Sequence, residues 1–67
     1  MPPSMHRIDY LEGNKEKAAK ALDNAGVAYT PSKMEKYAFL AFISPEKAEE
    51  LSGLEGIASV LKMSQED

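Results

Sequence analysis

Cysteine is absent from the 67-residue chain. That excludes disulfide staples and every cysteine-ligated zinc, copper or iron–sulfur centre, and it removes the case for an oxidising compartment. Positive charge is in short supply too, with a net charge of −3 and an isoelectric point near 5.1. Binding to a phosphate backbone or an anionic membrane relies on excess lysine and arginine, so neither a nucleic acid nor a membrane is expected as a partner. No apolar run approaches the ~20 residues a spanning helix needs. The first five residues, Met1-Pro2-Pro3-Ser4-Met5, show no charged region followed by an apolar stretch, as a signal peptide would. A complete chain is therefore expected to stay in the cytoplasm, an expectation that does not bind one cut from a precursor.

The machinery of catalysis is equally sparse. Histidine occurs once, as His6 near the start, where it reads as a solvated strand end. A nucleophilic triad would need it as base. Glu46, Glu49 and Glu50 read as the solvated face of a helix. Paired acids need unequal environments to separate their pKa values. No glycine-rich phosphate loop is present, and Gly13, Gly26, Gly53 and Gly56 all fall at turns or helix ends. The chain reads as a non-enzyme, with no cofactor and no metal site.

What remains is material for one small domain. A chain of this length buries roughly 60% of the surface it exposes when unfolded, which suffices for one modest core. Hydrophobic residues at 43% and charged residues at 28% argue against disorder. Residues 1–5 read as a flexible extension, 6–63 as the domain and 64–67 as a polar tail.

Within the domain, residues 6–11 read as a strand with Ile8 and Tyr10 on one face and Arg7, Asp9 and Leu11 on the other. Asn14 opens a helix over 15–25, whose stripe is Ala18, Ala21, Leu22 and Ala25, and Gly26 closes it. Residues 27–30 and 36–43 read as strands. Ser44-Pro45-Glu46 starts a second helix with Ala48, Leu51 and Leu54 inward, and 57–63 form a last strand.

That order, βαββαβ, predicts an α+β ferredoxin-like sandwich: a four-stranded antiparallel sheet, strand order 4-1-3-2, with both helices on one face. The other face is then open. Phe39, Ala41 and Ile43 suit the core beneath the helices, which sends Leu40 and Phe42 outward. Leu61 and Met63 follow them beside Ser59, and Leu11 joins from the first strand. A solvated sheet face should be polar, whereas Leu11, Leu40, Phe42, Leu61 and Met63 would form one apolar patch. Such patches mark interaction sites, so a protein partner is expected. Use of the patch for self-association would make the chain a weak homodimer in place of a monomer.

Other uses of the fold place different demands on the same residues. A metal chaperone needs a Cys-x-x-Cys loop. An RNA-recognition domain needs aromatics on both central strands and basic flanks, and Tyr10 has the wrong parity. A homodimeric small-molecule regulatory domain of the ACT kind remains open.

One stretch carries a family likeness. Residues 38–51 read Ala-Phe-Leu-Ala-Phe-Ile-Ser-Pro-Glu-Lys-Ala-Glu-Glu-Leu, and 56–60 read Gly-Ile-Ala-Ser-Val. Over about 36–61 this resembles the subtilisin propeptide and peptidase inhibitor family. That family has a strand of the form glycine-Phe-x-Ala-x-aliphatic-Ser, then an acidic helix, then a Gly-Val-x-x-Val strand. Ala38 stands where the family has glycine. The resemblance implies an inhibitor of a subtilisin-like serine protease, docked by the open face. The tail Lys62, Ser64, Gln65, Glu66 and Asp67 would then lie in the substrate cleft, although an acidic end suits an apolar pocket poorly. The alternative is an adaptor or inhibitor of a non-protease protein, such as a host or viral enzyme.

Overall fold

The computed structural model describes residues 2–63. The elements are β1 (Ser4–Asp9), α1 (Lys15–Asn24), β2 (Thr30–Pro31), β3 (Ala38–Ile43), α2 (Pro45–Ser52) and β4 (Ser59–Lys62). The strands form one antiparallel sheet in the order β2-β3-β1-β4, which is the expected 4-1-3-2 arrangement read from the other edge. Residues of both helices pack on one face of this sheet.

Each helix ends where its local chemistry requires. The Ser44 hydroxyl accepts the Lys47 N–H at 3.1 Å, with Pro45 in the first turn. This satisfies one of the donors a helix start leaves over. Asn14 precedes α1 as expected, but its side chain makes no cap bond. At the other end of α1, Gly26 takes a φ of 74°. Its N–H donates to Asp23 O and that of Val27 to Leu22 O, a Schellman closure in which buried Val27 seals against buried Leu22.

The core lies between the helices and the sheet. Ile8, Leu22 and Leu51 are its largest fully buried side chains. Phe39 sits at the centre of an aromatic group, with ring centroids 5.1 Å from Tyr10 and 4.8 Å from Tyr29. Ala18, Ala41, Ile43, Ala48 and Ile57 complete the packing, with Val60 partly buried against them. The turn into β4 presses closely on α1. Gly56 has a φ of 95°, and a Cβ there would meet Lys17 Cγ at 2.8 Å and Lys17 C at 3.1 Å.

Several expectations need correction. Ser4 and Met5 do not belong to a flexible extension; they open β1, opposite Ile43 and Phe42. The reason is that β3 runs on past His6 to Ile43, so its main-chain groups capture the two residues before it, and the residue after β4 adds a bond to Met5. Met63 N–H donates to Met5 O at 3.0 Å. His6 accordingly is not a solvated strand end but only 4% exposed. Its Nδ1 lies 2.9 Å from Ser4 O, and since a carbonyl only accepts, Nδ1 is the donor. β1 stops at Asp9, so Leu11 falls in the following turn. β2 is displaced to Thr30–Pro31 because the Schellman closure ties Val27 to the end of α1. Pro31 is tolerated there because, by the alternation of the ladder, its nitrogen faces away from β3.

Candidate functional site

The open face is built in three rows across the sheet, set by the registers β1–β3 and β1–β4. The first row runs Phe42, Met5, Met63. Phe42 stands opposite Met5, and Met63 is hydrogen-bonded to Met5 on the other side. The second runs Thr30, Leu40, Arg7, Leu61. The third runs Ala38, Asp9, Ser59. The pleat turns the alternate residues His6, Ile8, Phe39, Ala41 and Val60 toward the helices.

The first row is apolar and accessible. Phe42 is 63% exposed, Met63 48% and Met5 42%, with Leu61 at 47% in the row beside them. Leu40 is half-buried. Beneath the edge of the sheet, the chain before Thr30 diverges from β3 and leaves a groove of about 260 Å³. Its walls include Tyr29, Thr30, Leu40, Phe42 and Met5.

The opposite end of the face is polar and internally satisfied. Arg7 Nε and a terminal nitrogen donate to the two carboxylate oxygens of Asp9 at 2.8 and 3.1 Å. Such a two-point contact fixes orientation as well as charge. Another Arg7 nitrogen lies 3.4 Å from Glu35, and the Ser59 hydroxyl donates to Asp9 at 3.1 Å. The hydrogen bond to Asp9 holds the Arg7 guanidinium above its ordinary pKa; burial opposes this, and the charges of Asp9 and Glu35 assist it. Arg7 is thus committed to its own face and not offered as a free cation.

Of the residues expected at the site, Leu40, Phe42, Leu61 and Met63 come together. Leu11 does not: it is exposed, but in the turn where its carbonyl accepts the Asn14 N–H. Lys62 lies opposite His6, on the helix side by parity, and is exposed. Ser64, Gln65, Glu66 and Asp67 lie outside the described residues. Met5 and Glu35 were not expected. Met5 has the parity of Arg7 and Asp9 one step earlier, a signal masked by the adjoining Pro2-Pro3-Ser4. Glu35 belongs to a loop whose side-chain direction no periodicity encodes.

The arrangement offers an apolar contact surface beside an internally paired polar end. Among the described residues, no three His, Cys, Asp or Glu side chains cluster to hold a metal ion. No described helix is long and apolar enough to cross a membrane. Comparison with family models, curated proteins and solved structures finds no match.

Proposed function

We propose that this domain binds a protein through its open sheet face, as a propeptide-like inhibitor of a subtilisin-like serine protease. The observation that supports it is the exposed row Phe42, Met5 and Met63 on three adjacent strands. A solvated face would carry polar residues there, and apolar side chains held in register on rigid strands form a pre-organised contact that loses little entropy on docking. Leu61 widens the row, and the paired Arg7, Asp9 and Ser59 supply a polar rim with no charge left to desolvate unpaired. In this reading the face docks on the protease surface, and residues after Met63 enter the cleft as an extended strand.

Inhibition kinetics test this directly. Subtilisin is titrated with the intact domain, with Phe42→Asp and with a chain lacking residues 64–67. Both changes are expected to weaken inhibition by about tenfold or more, since central interface residues and main-chain pairing carry most of such an affinity. No inhibition by the intact domain at micromolar concentration overturns the protease reading. If another protein is captured in a Phe42-dependent manner and is indifferent to the tail, the face acts in an adaptor.

A further inference from the structure

The two edges of the sheet differ in what they leave unpaired. Tyr10 N–H donates to Tyr37 O across β1–β3, and Ser32 N–H donates to Ala38 O from the β2 side. Alternation in an antiparallel strand then assigns the main-chain groups of Phe39, Ala41 and Ile43 to β1, and those of Ala38, Leu40 and Phe42 to the β2 side. The β2 ladder covers only Thr30 opposite Leu40 and Pro31 opposite Phe39. Phe42, although opposite Met5 on β1, therefore has no partner on the β2 side among the described residues, and its N–H and C=O point to the side from which the chain has diverged. Native edges are usually guarded by charge, proline or a covering segment. Pro31 and Lys62 mark β2 and β4 in this way, whereas at Phe42 the neighbouring side chains are apolar.

We infer that the groove beside Phe42 accepts a short extended peptide segment of a partner, which pairs by main-chain hydrogen bonds with Phe42 and places an apolar side chain between Tyr29, Leu40 and Met5. Three observations converge on an extended chain as the occupant. A main-chain donor and acceptor on one residue are complementary to the same pair on a strand. The groove of about 260 Å³ has the size of a side-chain pocket, not of a cofactor cavity. The segment 28–30 forms its second wall, so the unpaired edge beside Phe42 is bounded on its far side and is not an open flank. The inference rests on the reading of the open face as a docking surface, and it adds the mode of contact at that face's edge.

Amide hydrogen exchange by NMR on the full chain tests it. In dilute protein, the Phe42 amide should exchange freely while that of Ala41, paired with β1, is protected. The probe is the blocked peptide acetyl-Thr-Val-Phe-Val-Thr-amide, with a version N-methylated at its three central residues as control. The unmethylated peptide is expected to slow Phe42 exchange by about tenfold or more, and the methylated one to leave it unchanged. Slow Phe42 exchange in the free dilute protein overturns the inference, as does peptide binding without protection of Phe42. Protection that rises with protein concentration alone also overturns it, by showing a second copy at the edge. Peptide-induced shifts at Leu61 and Met63 without protection of Phe42 would reject strand pairing while sustaining the docking face. Absence of any shift rejects the peptide groove and leaves the docking face to the inhibition assay.

Discussion

Met5 and Phe42 face each other across the two central strands, and both point away from the helices. Their pairing joins the start of β1 to the end of β3 and fixes the apolar end of the open face. Replacing either by aspartate should weaken partner binding by about tenfold or more while leaving the fold intact. Exposed substitutions usually change stability by about 0.5 kcal/mol or less, whereas a central contact residue costs about 2 kcal/mol or more in binding. Calorimetric titration alongside thermal melts separates the two. A melt unaffected together with unchanged binding would remove the face from the function.

Leu22 and Leu51 are completely buried, one from each helix. Leu22→Ala or Leu51→Ala should destabilise the domain by ~2–5 kcal/mol, a large share of the ~5–15 kcal/mol that folded domains possess. Urea titration reads this as a fall in midpoint at constant slope.

The two helix starts should respond unequally to loss of their capping residue. Ser44→Ala removes an observed bond to Lys47 N–H and should cost about 1 kcal/mol. Asn14→Ala removes a side chain that makes no such bond and should cost less. Equal losses in chemical denaturation would contradict this contrast.

Gly13 and Gly56 both have positive φ, yet only Gly56 is pressed against another element. Gly13→Ala should carry the left-handed backbone penalty alone, about 1–2 kcal/mol. Gly56→Ala adds a collision with the α1 backbone at Lys17 and Ala18, so it should be distinctly worse in the same denaturation assay.

The sequence made some of this architecture legible and hid the rest for physical reasons. The Ser44-Pro45-Glu46 start of α2 and the alternation of β3 are local signals, and both stand in the structure. The outward pair Leu40 and Phe42 followed from that alternation, and Leu61 and Met63 from placing Val60 inward on the last strand. The beginning of β1 did not, because Ser4 and Met5 become strand only through partners at Ile43, Phe42 and Met63. Val27 and Tyr29 favour strand by side-chain type, but the hydrogen bond from Val27 to Leu22 commits the chain to a helix cap first. The buried setting of His6 likewise depends on how far its neighbouring strands extend.

The position of β1 between β3 and β4 has a kinetic corollary. Every ladder it makes is with chain that follows much later; Asp9 and Ser59 are fifty residues apart and hydrogen-bonded. Long loops must close before such pairs return any stabilisation, and folding slows as contacts become less local. On the ribosome β1 emerges before both of its neighbours and cannot be fully flanked until β4 has been made. Acquisition of the whole sheet, with its outward row of Phe42, Met5 and Met63, therefore waits on the synthesis of β4.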